Sequence, residues 1–168
     1  MNKNEVREKA IGYFDQAGIV ITDEEKQRIE VADFGLNDLE NTGLELITYV
    51  NTERCCAKEM VLFPGQTCPE HLHPPVDGAE GKEETFRCRW GTVYLYVDGA
   101  ETPNRSQNPP EGVYTVFHEV ILTPGRQYTL YPGTKHWFKA GAEGAVISEF
   151  STKSMDGADI FTDPKIIR

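Results

Sequence analysis

The sequence has no apolar segment approaching the ~20 residues that a membrane-spanning helix requires. Its N-terminal residues, MNKNEVREKA, contain no apolar stretch of the kind found in secretion signals. Basic residues are also scarce, because 17 Lys and Arg stand against 27 Asp and Glu, for a net charge of −10. Binding to nucleic acid or to an anionic membrane requires a basic surface. We therefore expect a cytoplasmic protein that has neither a nucleic acid nor a membrane as its partner.

Cysteine is rare as well, with 4 residues among 168. In a chain without an export signal, a framework of disulfides is not expected. Cys55 and Cys56 are adjacent and would form a disulfide only with strain. We expect all the cysteines to be buried thiols: Cys55, Cys56, Cys68 and Cys88.

The N-terminal third carries helical signals. Apolar residues recur there at the spacing of one helix face: Val6, Ala10, Ile11 and Phe14. Gly18 follows at a position typical of a helix C-terminus. Thr22 and Glu25 have the spacing of a capping box, which predicts a second helix reaching about Val31.

From Gly43 onward the chain has the texture of β-structure. Short β-branched and aromatic runs are separated by Pro, Gly, Asp and Asn clusters: LELITYVNT, KEMVLFP, TFRCRWGTVYLYV, YTVFHEVILT, QYTLYP and GAVISEF. Many short strands at regular intervals favour an antiparallel barrel or double-sheet sandwich. The length suits a single domain over residues 1–168. We expect a helical segment, 1–42, packed on a barrel, 43–150, with a C-terminal tail, 151–168, folding back over the sheet.

Three of the four histidines lie in a pattern that suits a metal ion. His71 and His73 are two residues apart and share one face of a strand. Glu84 heads an alternating row that is otherwise apolar: Phe86, Cys88 and Trp90. A carboxylate buried there is costly unless it is paired or bound to a cation. His136 follows a tight Pro-Gly turn, and three imidazoles with one carboxylate suit a first-row divalent metal.

Other polar residues have simpler interpretations. His118 has no comparable surroundings and is expected to be an ordinary strand histidine. Glu70 and Asp77 are most simply solvated carboxylates in loops.

Two further charged residues interrupt apolar strand faces. Glu149 alternates with Ile147, so desolvation is expected to raise its pKa, as a proton-transferring group requires. Lys58 alternates with Met60, but Glu59 lies on the opposite face, and the pattern alone leaves Lys58 ambiguous.

The spacing of these residues resembles the two cupin motifs. Gly65 is followed after five residues by His71-x-His73, and Glu84 is followed after six by a glycine. The second motif, P-G-x-x-H, ends at His136. Over most of its length the chain also resembles the D-lyxose isomerases, which are sugar ketol-isomerases on a cupin barrel. The closest segment is KEMVLFPGQTCPEHLHPPVDGAEGKEETFRCRWGTVYLYV.

The resemblance implies an all-β cupin double-stranded β-helix, that is, a jelly-roll barrel, with two short N-terminal helices. It implies four metal ligands: His71, His73, Glu84 and His136. One departure concerns the ten residues between His73 and Glu84, where cupins usually have three or four, so PPVDGAEGKE is expected to loop out. This makes Glu83 a rival ligand, although the six-residue spacing to Gly91 favours Glu84.

The resemblance also assigns catalytic roles. A lysine thirteen residues before the first metal histidine is Lys58, and a Glu-x-Ser after the second motif places the other catalytic group at Glu149. Asp163, in the tail, is a weaker candidate for binding distal hydroxyls, with a turn cap as the equal alternative.

The function implied is a metal-dependent aldose–ketose isomerase that acts through an enediol. Its substrates would be free monosaccharides, D-lyxose with D-xylulose and also D-mannose with D-fructose. Its cofactor would be one divalent ion per chain, foremost manganese, with zinc, cobalt or iron as alternatives, and the protein would be a homodimer. Competing functions are a cupin dioxygenase or decarboxylase, a phosphosugar isomerase and a non-catalytic sugar-binding module.

Overall fold

The structure is a computed structural model that describes residues 2–168, and its main feature is a curled antiparallel sheet. The helices are α1 (Lys3–Gln16) and α2 (Asp23–Gln27), with one 3-10 turn at Asp156–Ala158. The strands are β1 (Glu30–Ala32), β2 (Leu44–Asn51), β3 (Cys56–Leu62), β4 (Thr67–Leu72), β5 (Glu84–Val97), β6 (His118–Leu122), β7 (Gln127–Leu130), β8 (His136–Ser151) and β9 (Ile160–Phe161). This confirms the predicted all-β cupin class with two N-terminal helices.

Two long strands form the frame of the barrel. β5 and β8 pair with each other along their whole lengths. The other edge of β8 pairs with β3 in its second half and with β4 in its first half. The other edge of β5 pairs with β7 in its first half and with β6 in its second half. Short strands therefore cover both halves of a bent, two-stranded ribbon.

The bend lies at the middle of both long strands. The register of β5 against β8 shifts on either side of Gly91. Gly91 has φ +71°, and a Cβ there would lie 2.1 Å from the carbonyl oxygen of Gly144 on β8. Only glycine permits this approach of two backbones, which explains the glycine that ends the first cupin motif.

The N-terminal helices follow the predicted signals except at one end. α1 carries a capping box from Asn2 to Glu5, and Gly18 follows it at φ +69°. Thr22 caps α2 as expected, but α2 ends at Gln27, short of Val31. The prediction was wrong there because residues 30–32 pair with β2 as strand β1, so sheet formation overrides the local helix signal.

Two apolar layers lie on opposite sides of the sheet. The barrel interior contains residues such as Leu46, Met60, Leu62 and Phe86, whereas α1 packs on the outer side against Val61 and its neighbours. Trp90 belongs to this outer layer, although alternation from Glu84 predicted that it faces inward. The bulge between Cys88 and Trp90 moves every later side chain to the opposite face.

Two predictions about single residues were wrong. Glu70 is a strand residue and only 1% exposed. Its carboxylate accepts hydrogen bonds from Thr115 N–H and Oγ1–H, from Val116 N–H and from Thr162 Oγ1–H, at 2.6–3.0 Å. Cys55 is an exposed thiol, whereas the other three free cysteines are buried as expected. Asp77 is exposed in the loop before β5, as the sequence predicted.

The C-terminal tail returns to the barrel beside β4. β9 pairs with β4 so that Phe161 lies opposite His71. The tail therefore borders the same end of β4 that carries the predicted metal ligands. Across the described residues 2–168, neither helix has the length and apolar character needed to cross a bilayer.

Glu45 on β2 makes the stability of the fold dependent on pH. Its side chain is fully buried, and Oε2 has no hydrogen-bond partner in the described chain. Desolvation raises the pKa of Glu45 to about 8 from an ordinary 4.5, so the folded state binds the proton more tightly than the unfolded state. The free energy of unfolding should therefore fall between pH 4.5 and 8, by at most ~1.4 kcal/mol per pH unit.

Glu45→Gln should remove this loss, because an amide does not ionise. In urea unfolding at pH 5, 6.5 and 8, the free energy of unfolding of the variant should rise relative to that of the parent protein as pH rises. Glu24→Gln, at an exposed position of α2, is the control and should show a constant difference. A pH-independent difference for Glu45→Gln would show that Glu45 is ionised in the folded protein.

Candidate active site

Three imidazoles converge inside the barrel because β4 and β8 are neighbours. His71 lies in β4, His73 follows that strand directly, and His136 begins β8. The register places His71 opposite His136, with ring centroids 4.3 Å apart. All three are buried, and one nitrogen of each lies within 4.8 Å of the others, a spacing that could hold a metal ion.

Hydrogen bonds from Nδ1–H orient two of these rings. His71 donates to the carbonyl of Pro69 at 2.8 Å, and His136 donates to that of Thr134 at 3.0 Å. Because a carbonyl only accepts, Nδ1 of each ring carries a proton, and Nε2 is the nitrogen that could bind a metal ion. Nε2 of His136 is buried and makes no hydrogen bond within residues 2–168. A metal ion would satisfy this atom, as buried polar atoms require.

Glu84 supplies a carboxylate to the same group. It is the first residue of β5, and its Oε1 lies 3.0 Å from Nε2 of His73 and 3.1 Å from Nε2 of His136. Although Oε1 lies this close, Nε2 of His136 makes no hydrogen bond within residues 2–168. Glu83 is exposed, so the structure places Glu84 and not its neighbour beside the imidazoles.

The electrostatics of this group suit a cation. His71 has a pKa well below its ordinary value, because burial and the neighbouring His136 and His73 disfavour a second charge. Burial also lowers the pKa of His73, but the Glu84 carboxylate and the hydrogen bond to Asp159, at 2.6 Å, outweigh it and raise the pKa to about 9. Without a metal, His73 therefore carries the positive charge that a divalent ion would supply. Three imidazoles and a carboxylate fit such an ion.

Lys82 is a site residue that the sequence analysis missed. Its ammonium lies 2.7 Å from Oε2 of Glu84 and 2.6 Å from Oε1 of Glu149. Burial lowers the pKa of Lys82, but these two carboxylates outweigh burial and raise it, so the lysine is charged. The signal was present in the sequence, since Lys82 precedes Glu84 by two residues and extended chain places both on one face. The ten-residue insert was expected to loop out as a whole, which concealed this.

Gly81 explains how the insert delivers Lys82. It has φ +75°, and a Cβ there would lie 2.5 Å from the carbonyl oxygen of His73. The chain therefore returns against the backbone of a predicted metal ligand before it enters β5. This approach requires glycine and brings the lysine next to the imidazoles.

Glu149 lies on β8 in the cavity that these residues line. All three of its close polar neighbours approach Oε1: Lys82 at 2.6 Å, the hydroxyl of Ser151 at 3.2 Å and Lys58 at 3.9 Å. No hydrogen bond to Oε2 occurs in the part of the chain that the structure describes. One oxygen of this carboxylate is thus held in place while the other has no protein partner.

Lys58 lies directly opposite Glu149 in the β3–β8 register, but its ammonium points to the tail. Nζ donates to both oxygens of Asp156, at 3.0 and 2.8 Å, and to Oγ of Ser154 at 2.9 Å. Although burial opposes it, Lys58 and Arg168 hold the pKa of Asp156 well below its usual range. Sequence reasoning could not find Asp156, because only folding of the tail brings it to β3.

The tail contributes Asp156, Asp159 and Arg168 to the cavity wall, while Leu44 and Phe86 contribute apolar surface. Asp163 is not among the side chains that line this space in the described residues. Its carboxylate accepts a hydrogen bond from the N–H of Lys165 at 2.9 Å, as a turn cap does. The predicted role of Asp163 in binding distal hydroxyls stays a prediction.

Metal binding can be tested at one ligand position with a matched control. His71→Asn should reduce bound Mn²⁺ from about one ion per chain to nearly none, because a metal site loses one of few nitrogen donors. His118→Asn should keep the full content, since His118 lies on β6 and its ring hydrogen-bonds to the carbonyl of Ala100. Elemental analysis after dialysis measures both, and equal manganese in the two variants would place the metal elsewhere.

Comparison with known proteins gives a consistent result. No protein-family model matches the chain. The D-lyxose/D-mannose isomerase of Thermosediminibacter oceani is 64% identical over 98% of this chain and 92% of its own length. The D-lyxose ketol-isomerase of Cohnella laeviribosi is 59% identical over the same shares of the two chains.

Solved structures agree at the level of the fold. The L-ribose isomerase of Cellulomonas parahominis has a TM-score of 0.73 with 17% identity, over 97% of this chain and 92% of that one. That of Geodermatophilus obscurus has a TM-score of 0.72 with 16% identity, over 96% and 91%. The identities to curated relatives, over nearly the full length, confirm the resemblance found in the sequence. The chain belongs to the D-lyxose isomerase family and is an aldose–ketose isomerase.

Proposed function

We propose that this isomerase interconverts D-lyxose with D-xylulose and D-mannose with D-fructose, with one divalent metal ion bound at its three histidines and Glu84. The substrate assignment is supported by the relative named D-lyxose/D-mannose isomerase, at 64% identity. The observation that carries the mechanism is that His71, His73, Lys82 and the half-free carboxylate of Glu149 line one cavity, with His136 clustered against the two histidines.

His71, His73, His136 and Glu84 would hold the ion. When bound, it supplies a Lewis acid whose charge, reduced from +2 to +1 by Glu84, matches the single negative charge of an enediolate. We propose manganese as the active metal, with zinc, cobalt or iron as alternatives, because mixed imidazole and carboxylate ligands suit all of them.

We assign the proton transfer to Glu149. Oε1 is held by Lys82 and Ser151, so Oε2 can take the proton from C2 of the open-chain sugar and return it to C1, while the hydroxyl proton of O2 passes to O1 of the enediolate. Transfer by one carboxylate places both events on the same face of the enediol. Lys82, fully charged and adjacent to Glu84, stabilises negative charge as it develops on the sugar oxygens. Lys58 extends the positive potential on the other side of Glu149, while its three N–H groups bind Asp156 and Ser154.

The cations of the cavity favour a neutral sugar over a phosphorylated one. Lys58, Lys82 and Arg168 line the cavity, and each forms an ion pair with a carboxylate. A phosphate group would have to displace these carboxylates from their partners, whereas sugar hydroxyls can bond to both members of an ion pair. The homodimer and the cytoplasmic location stay predictions from the sequence.

The substrate and metal assignment is tested with metal-free protein. Reconstitution with single metals, followed by a screen of free pentoses and hexoses, should give ketose from D-lyxose and D-mannose, with the highest activity in Mn²⁺. The rate should be the same without oxygen, since isomerisation transfers no electrons to O₂. Turnover of neither sugar with any metal, or a requirement for oxygen, would contradict the proposal.

Glu149→Gln should abolish turnover while the metal content stays at about one ion per chain. The amide keeps the shape of the side chain but accepts no proton, and a general base typically contributes ~10²–10⁴-fold to the rate. Measurement of kcat beside elemental analysis separates a lost base from a lost metal. A kcat near that of the parent protein would remove Glu149 from the mechanism.

A further inference from the structure

Lys58 lies between two carboxylates and is bound by the one farther from the proposed chemistry. Its ammonium is 2.8 Å from Oδ2 of Asp156 and 3.9 Å from Oε1 of Glu149. Lys58 and Glu149 are both 4% exposed, and they are paired across β3 and β8, so nothing in the register keeps them apart. In a buried site, an ammonium would approach this carboxylate directly unless another group competed for it.

The hydrogen bonds of Asp156 let it compete with Glu149 for the Lys58 ammonium. Both of its oxygens accept from Lys58, and Ser154 donates a hydrogen bond to Oδ1. Arg168 donates to Oδ2 from the outer side at 3.1 Å. A carboxylate that receives charged donors from two sides stays ionised and fixed in position.

The backbone next to Asp156 is fixed as well. Asn51 on β2 donates from Nδ2 to the carbonyl of Ser154 at 2.9 Å and accepts from its N–H at 3.0 Å. This reciprocal pair ties the tail to the sheet two residues before Asp156. The position of the carboxylate is therefore set by the barrel and not by Lys58 alone.

We propose that Asp156 is a positioning residue, which acts through Lys58 by holding its ammonium away from Glu149. The inference rests on the proposed role of Glu149 as the base. With Lys58 held at Asp156, Oε1 of Glu149 is occupied by Lys82 and Ser151, and Oε2 stays free for the proton of C2. Without Asp156, the Lys58 ammonium pairs with Glu149 and weakens it as a base.

Three side chains from different parts of the chain approach Glu149. Lys82 reaches it from the segment before β5, Lys58 from β3, and Ser151 from its own strand. Asp156 accepts hydrogen bonds from Lys58, Ser154 and Arg168. Among residues 2–168, Lys58 alone contacts both carboxylates, so it is the route by which these contacts connect Asp156 to Glu149.

The test is a double-mutant cycle in the metal-loaded enzyme with D-lyxose. Asp156→Asn should lower kcat about tenfold and leave KM within about twofold, because the base is weakened but no sugar contact is lost. Asp156→Glu should restore most of kcat, since it returns the competing charge. In the Lys58→Met background, Asp156→Asn should have no further effect, because the ammonium through which it acts is gone.

Two measurements keep the outcome clear. Lys153→Met removes the exposed tail ion pair with Glu53 and is the matched control, which should keep kcat and KM. Melting temperatures of all variants show whether loss of kcat follows loss of fold. If Lys58→Met turns over too slowly for kinetics, the calorimetric Kd for the sugar replaces kcat, and Asp156→Asn should leave it unchanged.

An independent, multiplying loss of kcat in the Lys58→Met background, or a tenfold rise of KM or Kd, would show that Asp156 contacts the sugar itself and would overturn the proposal. Failure of the proposed function is a different result. In that case the parent enzyme shows no turnover of D-lyxose, or Glu149→Gln retains it, whatever the cycle shows.

Discussion

Charge compensation inside an apolar barrel is the constraint on which this active site depends. Glu84 and Glu149 are buried and Asp156 is half-buried, in a cavity lined partly by hydrophobic surface, where an unpaired charge would be destabilising. Each is compensated, because Lys82 bridges the first two and Lys58 holds the third. The cavity thus has its cations and anions in fixed places, and preorganised charge of this kind would suit the proposed enediolate.

The barrel satisfies this constraint through the pairing of two long strands. β8 carries His136 at its start and Glu149 near its end, and β5 presents Glu84 beside them. The bend at Gly91 curls both strands, so that residues from opposite ends of β8 line the same interior. The tail then closes the cavity by adding Asp156 to Lys58. Strand pairing brings the predicted metal ligands and Glu149 together, and the tail adds Asp156 as the partner of Lys58.

The fold class and the convergence of His71, His73, His136 and Glu84 could be predicted from the sequence, because the motifs that resemble those of cupins are local. The His71-x-His73 pair and the alternation around Glu149 follow from the two-residue period of a strand. Predictions failed where contacts with a distant part of the chain determine the local structure or the burial of a side chain. The second helix stops early because β2 recruits residues 30–32, and Glu70 is buried because it accepts hydrogen bonds from a loop 45 residues away.

What the sequence by itself determined is therefore the kind of barrel, the family and the chemical types of the main site residues. Only the tertiary structure decided which charges meet. Lys82 forms ion pairs with both Glu84 and Glu149. Lys58 lies closer to Asp156 than to Glu149, and the Lys58–Asp156 contact spans 98 residues of chain. The physical reason is that strand periodicity specifies the face on which a side chain lies, whereas the partner of a buried charge depends on how distant segments pack.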